Sequence, residues 1–400
     1  MRRFFFTASL LLFCTSVFAY DIEVNNSDGI TIYYNYINNK SELEVTYKDT
    51  YYRTYKGDVV IPESVTYMDK SYKVTCIGNR AFYDCNDLKN ITIPKTVITF
   101  KKEAFSSCDG FSSFTIPNSV TTIGEKAFSN CKKLISIVIP NNVTSIGDYA
   151  FQLCKKLSSV TFGNGLVSIG EGAFASCGLT TVTIPDNVTS IGDLAFSECK
   201  SLISITLPNN LKEINTSLLM HCVSLPSVVI PNSVRTICIY AFASCDNLTS
   251  VKMPNKLKNI YAGAFQKCKS LTTITIPSNV DYIESNVFEY TDLSIVISEI
   301  IEPFDISGYS SSSRVFSQPT FNNATLYVPD GTIEKYKATE GWKDFLNIKE
   351  GLPSTSIDNA AINRVDNSSI YNLNGQCVGN NLEGLSKGIY IKEGKKHVVK

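Results

Sequence analysis

The groups in this sequence with the greatest capacity for chemistry are thiols. Cysteines stand at Cys85, Cys108, Cys131, Cys154, Cys177, Cys199, Cys222, Cys245 and Cys268, every interval being 23 residues except one of 22. Two chemistries suit that many thiols, a disulfide framework or metal ligation. Neither suits this arrangement. Side chains on successive turns of a regular structure point in parallel, whereas a bridge needs Cβ vectors that face each other. Nine is odd, and no C-x-x-C pair occurs to hold zinc in a tetrahedron. The expectation is a free thiol that fills a narrow place in a core as a small hydrophobe, without metal. Cys76, Cys238 and Cys377 fall off the rung, and their state stays open.

Other reactive groups are sparse. The two histidines, His221 and His397, belong to no H-E-x-x-H, and neither G-x-S-x-G, a P-loop nor G-x-G-x-x-G occurs. Paired carboxylates serve glycosidases, but no acidic position recurs near a cleft-forming segment. His221 reads as a structural substitution, and neither catalysis nor a cofactor is expected. Sequons at Asn142, Asn187 and Asn247 are by-products of a repeat rich in Asn and Thr. The chain carries 37 basic and 37 acidic residues, or 35 against 37 without Arg2 and Arg3. That balance supplies no field for nucleic acid.

The cysteine period belongs to a longer pattern. Phe82, Phe105, Phe128, Phe151, Phe174, Phe196, Leu219, Phe242, Phe265 and Phe288 mark ten units of about 23 residues. Strict self-similarity at this period predicts a solenoid, in which each unit buries its face against its neighbours. Within a unit, Ile137 and Ile139 alternate with Ser136 and Val138, as in a strand with one buried face. Pro140 ends that strand. Val143 and Ile146 make a second extended piece, and Gly147 permits the bend after it. Ala150, Phe151, Cys154 and Leu157 then recur at threes and fours, which suits a short helical turn. Coils stacked at about 4.8 Å, the strand spacing, would make a rod on the order of 45 Å long. With 44% apolar residues the chain has ample material for such a core.

The spacing Leu134-x-x-Ile137-x-Ile139-x-x-Asn142 matches the leucine-rich repeat pattern, and "IPNNVTSIGDYAFQLCKKL" resembles the BspA-type leucine-rich repeats of bacterial surface proteins. The resemblance covers residues 74–297. It implies a parallel β-sheet solenoid with short helical turns, and a role in adhesion to host extracellular matrix or other cells. The asparagine position is kept at Asn142, Asn187, Asn210 and Asn279 but not at Ser119 or Ser233, and unit seven, "LKEINTSLLMHCVSL", loses both Gly and Ala-Phe, which puts its bend in doubt. "ATLYVPDGTIEKYKATEGWKDFLNI" resembles the segment that closes such arrays.

The ends fit the same scheme. Residues 1–19 read as a signal peptide, with Arg2 and Arg3, an apolar run over 4–13 and Val17-Phe18-Ala19 before the cleavage point. Lipidation at Cys14 is disfavoured by the bulky Phe13. No later run is long and apolar enough to span a membrane. Residues 20–73, tyrosine-rich and alternating, should form an N-terminal β cap, and 298–350 a C-terminal cap with Ile333, Tyr336, Trp342 and Phe345 over the last coil; "SGYSSSSR" at 307–314 reads as an excursion between them. A polar linker follows at 351–369. The close of 370–400, "KGIYI…GKK…VVK", resembles the C-terminal sorting domains of type IX secretion, with a hairpin signal at Asn374-Gly375. That implies a β tail read by secretion machinery and a protein at the cell surface or secreted. A small β cap that stabilises the array is the alternative.

One outward pattern remains. The exposed strand centres carry Thr92, Thr115, Val138, Thr161, Thr183, Thr206, Val229, Lys252 and Thr275, and two residues before each stand Asn90, Ser113, Ser136, Ser159, Thr181, Ser204, Ser227, Ser250 and Thr273. Threonine suits exposed strands whatever their use. Two columns of hydroxyl groups also make a long uncharged face for an extracellular protein or glycan, gaining strength from many weak contacts. The candidate binding residues are Thr115, Thr161, Thr183, Thr206, Thr275, Ser136, Ser159, Thr181 and Ser204. The competing reading is a passive structural component of the envelope or matrix.

Overall fold

The computed structural model describes residues 19–49, 51–308 and 313–353, and in the tail the strands Ile370–Asn372, Cys377–Gly379, Gly388–Lys392 and Lys395–Val399. The expected signal peptide, Cys14, the tip of the 307–314 excursion, most of the linker and the Asn374-Gly375 turn lie outside the described residues. Two units divide the chain, 1–349 and 350–400.

In the first unit each repeat forms one coil, typically with two short strands. Ser136–Val138 is a three-residue strand with Ile137 buried between two exposed neighbours. Pro140 has no N–H, so the chain leaves the ladder and turns, its carbonyl accepting Val143 N at 3.1 Å. Ser145–Ile146 is the second strand, with Ile146 buried. Ala150, Phe151, Cys154 and Leu157 then face inward, all fully buried. The next coil repeats this in register: Ser136 lies beside Ser159 and Val138 beside Thr161, both pairs parallel.

The expected helical turn is more open than a helix. Single turns close from Gly147 O to Ala150 N (3.2 Å), from Tyr149 O to Gln152 N (3.1 Å) and from Phe151 O to Cys154 N (3.2 Å). The alternate N–H groups of Tyr149, Phe151 and Leu153 instead donate to Glu171, Ala173 and Ala175 of the following coil. That alternation needs left-handed backbone at Tyr149 (φ 56°) and Leu153 (φ 62°). Such residues carry a steric penalty, offset here because the geometry converts half of the turn's donors into a third ladder between coils.

One core runs from Ile22 to Phe345. Its spine is a column of rings: Phe128 and Phe151 stack with centroids 5.2 Å apart, as do Phe151 and Phe174, and Phe174 and Phe196 follow at 5.5 Å. The column outruns the ten sequence units. Tyr55 lies 4.6 Å from Phe82 at one end, and Phe316 lies 5.2 Å from Phe288 at the other, so the solenoid has about twelve turns.

The ends differ in construction. At the start, β1 (Ile22–Asn25), β2 (Thr31–Ile37) and β3 (Glu42–Thr46) form an antiparallel meander. β3 then joins the solenoid, pairing in parallel with Lys70–Ile77. At the far end, Thr273–Ile276, Ile295–Ser298 and Thr325–Val328 continue the parallel ladder. Trp342 and Tyr336 are fully buried there, with Trp342 Nε1 donating to Phe304 O (3.0 Å) and Tyr336 Oη to Ile300 O (2.7 Å). The second unit carries a four-stranded antiparallel sheet in the order Cys377–Gly379, Ile370–Asn372, Gly388–Lys392, Lys395–Val399.

Candidate functional site

The front strands hold the nominated residues on one exposed face. Ser136, Ser159, Thr161, Thr181, Thr183 and Thr206 are solvent-exposed, each flanking a buried Ile or Val. Ser204 and Thr275 are half-buried. Thr115 is exposed but lies outside a strand, because the preceding coil touches the sheet through a single bridge, Ser113 to Ser136. In register, Ser136 pairs with Ser159, Thr181 with Ser204 and Thr183 with Thr206, which makes the columns real rows at strand spacing.

The face is less continuous than the repeat implies. Its ladder divides between Ser159–Thr161 and Thr181–Thr183, between Ser204–Thr206 and Ser227–Val229, and between Ser250–Lys252 and Thr273–Ile276. The first break coincides with the 22-residue coil and the second with the degenerate unit. The third has no mark in the sequence, and nothing in the structure explains it.

Hydrogen bonding separates these hydroxyls from their neighbours. The column just before the strands spends its side chains on the scaffold: Ser158 Oγ donates to Ile135 O (3.3 Å), Thr180 Oγ1 to Ser158 O (3.3 Å), Thr249 Oγ1 to Pro226 O (3.0 Å) and Ser294 Oγ to Thr272 O (3.2 Å). None of the nine nominated hydroxyls has a side-chain partner among the described residues. Their donors and acceptors face solvent unspent. Apolar side chains interrupt them, with Val138 62% and Val229 46% exposed, and Ile135 and Ile203 stand exposed at the strand entrances. Sequence reasoning missed the two isoleucines, although "LIS" before each strand carries the signal.

The thiol rung is core, with a feature that sequence reasoning did not supply. All nine cysteines are buried and free. Each from Cys108 to Cys268 places its sulfur against a carbonyl of the preceding coil, that of Leu219 for Cys245 and of a ring-column Phe for the rest: Cys154 Sγ donates to Phe128 O and Cys177 Sγ to Phe151 O, both at 3.1 Å. The same carbonyl already accepts the amide of its own coil's cysteine, as in Phe151 O with Cys154 N. The second lone pair would otherwise be buried without a donor, and a thiol supplies a weak one while packing as a small hydrophobe. Burial pushes these thiols up, to about 12 at Cys199 and Cys245. The protonated donor is therefore the stable form. Off the rung, Cys76 is buried and Cys238 half-buried, both free.

His221 occupies a left-handed turn position (φ 60°) equivalent to Leu153, and its N–H joins the ladder to Ala243 O at 2.8 Å. Histidine tolerates that backbone better than most residues. No cluster of ligating side chains suited to a metal ion occurs among the described residues.

Residues 46–179 and 167–294 match the description of the BspA type leucine rich repeat region, in six copies. The chain belongs to the BspA-type leucine-rich repeat family. Among solved structures, this BspA-type chain is similar to a leucine-rich repeat protein from Bacteroides ovatus, at 26% identity and a TM-score of 0.50, over 80% of this chain and 98% of that one. A leucine-rich cell surface protein from Faecalibacterium prausnitzii aligns at 23% identity and a TM-score of 0.46, over 84% and 96%. The pneumococcal vaccine antigen PcpA aligns at 18% identity and 0.47, over 84% and 100%. No curated protein matches.

Proposed function

We propose that the chain is an exported, surface-associated binding scaffold, an adhesin that holds an extracellular protein of a host matrix or a neighbouring cell along its front face. The observation that carries this reading is the contrast in hydrogen bonding: the front hydroxyls are in register and unspent, while the column beside them is committed to the backbone. Rows of hydroxyls interrupted by Val138, Val229, Ile135 and Ile203 favour a protein, whose surface offers both peptide groups and apolar side chains. A rigid sheet also costs a ligand little ordering of its partner. Residues 370–400 act in this reading as the sorting tail that carries the repeats outward.

The test is a binding array of matrix proteins, mucins and glycans probed with the purified protein, followed by the combined Thr161→Lys, Thr183→Lys, Thr206→Lys variant. Lysine is compatible with the strand, since Lys252 already stands in that column. Saturable binding to a protein on the array should fall by more than about tenfold in the variant, the loss expected when a desolvated charge replaces the centre of an interface. Binding that survives the triple change would move the site off the front face. Silence from a folded sample would favour a passive envelope component.

A further inference from the structure

The last regular coil and the C-terminal cap do not close tightly on each other. Between them lies a cleft of about 490 Å³, the size of a small-ligand pocket. We infer that it is a binding site for a neutral saccharide, with Tyr290 as the stacking platform and Asp292 and Asn286 as the groups that read sugar hydroxyls. Tyr290 is 60% exposed on the cleft wall, and Lys267 Nζ lies over its ring at 6.0 Å. An exposed aromatic ring of this kind suits the apolar C–H face of a pyranose, and its backbone is fixed in a left-handed turn (φ 56°).

Two polar groups on the same wall are unspent. Asp292 has neither a hydrogen bond nor an ion pair among the described residues. The Asn286 side-chain amide also makes no hydrogen bond there, and its Oδ1 is shielded from water without a partner. A buried acceptor left unsatisfied is costly, so turning this amide toward a ligand breaks nothing and recovers a bond. The opposite wall is preorganised, with Arg314 Nη1 bonded to Gln318 Oε1 at 2.9 Å.

Charge decides the class of ligand. Lys269 and Arg314 are matched by Glu289 and Asp292, so the lining is neutral as a whole. Lys269 is already paired with Asp246 (3.0 Å), and Arg314 lies 3.6 Å from Asp344. An anion would meet the Glu289 and Asp292 carboxylates, and a cation would meet the Lys269 and Arg314 head groups. A hydroxyl-rich uncharged ligand can accept from the amide and the guanidinium and donate to the carboxylate. This site is separate from the front face and stands independently of it.

The experiment is an array of neutral and sialylated oligosaccharides probed with the full chain, then repeated with Tyr290→Ala, with Asp292→Ala and with the triple Thr→Lys variant. Binding to a neutral oligosaccharide should weaken by more than about tenfold in Tyr290→Ala and in Asp292→Ala, both exposed positions, and stay unchanged in the triple variant. No binding to any neutral oligosaccharide by folded protein would overturn the proposal. Preference for sialylated probes, or binding indifferent to both cleft variants, would overturn it equally.

Discussion

A thiol held against a peptide carbonyl in a dry core keeps its proton, and that fixes how the repeat responds to alkali. The ordinary thiol value is 9.0, and burial raises Cys199 and Cys245 to about 12 in the fold. Below pH 9 both folded and unfolded chains carry the proton, so the full stability is present. Between pH 9 and 12 the unfolded chain releases protons that the folded chain retains, so stability falls as pH rises. Each such thiol contributes a slope of about 1.4 kcal/mol per pH unit in that window. Urea midpoints measured at about pH 7, 8 and 10 should hold nearly steady to the second value and drop at the third, and Cys199→Ala should reduce the slope by one proton. A midpoint unchanged at the highest value would show that the rung is open to water. Position and spacing of the thiols are legible in the sequence; their partner is not, because Phe128 O lies 26 residues from Cys154 along the chain and meets it only through stacking.

At the scale of the coil, the column of Gly124, Gly147, Gly170 and Gly192 leaves no room for a Cβ where successive coils meet. A Cβ on Gly170 would lie 2.7 Å from Asp148 N and 2.8 Å from Gly147 C, and one on Gly192 only 2.5 Å from Glu171 N. Backbone cannot step aside as a side chain can. The column ends at unit seven, where Asn215 stands in the glycine position, and there the second sheet divides, one part ending at Ser190–Ile191 and the next beginning at Glu213–Ile214. Gly147, Gly170 and Gly192 donate to the isoleucine carbonyl of the previous coil, as Cys238 and Tyr261 do later, but no such bond forms at Asn215 among the described residues. The bend itself survives through the turn from Asn215 O to Leu218 N at 3.2 Å. Gly170→Ala should therefore cost about 2–3 kcal/mol by overpacking, whereas Cys238→Ala, beyond the break, should cost less than about 1.5 kcal/mol. Equal and small losses in urea unfolding would mean that the coils yield freely.

At the scale of the whole molecule, the proposed display at the cell surface rests on the tail. Its four strands pair with one another in antiparallel order. Deleting residues 370–400 should leave the repeat unit folded and strand the protein in the periplasm, measured by fractionation and surface labelling. Normal surface display after the deletion would instead make the tail a stabilising β cap. A fall in the urea midpoint of the remaining chain would point the same way. Among the described residues, no helix is long and apolar enough to cross a membrane.

The sequence by itself determined the solenoid, since a period of 23 residues leaves each unit with a face that only its neighbours can cover. It also determined which residues point inward, because Ile137, Phe151, Cys154 and Leu157 follow from alternation and turn spacing within one coil. Tertiary structure alone decided what depends on contact between coils. The two extra turns at Tyr55 and Phe316 lack the Ala-Phe step and show themselves through the ring column that they extend. The split between committed and unspent hydroxyls turns on whether a carbonyl of the previous coil lies within reach, a distance that no single unit encodes. The cleft beside Tyr290 exists because an irregular cap meets a regular coil, and their misfit is a property of the pair.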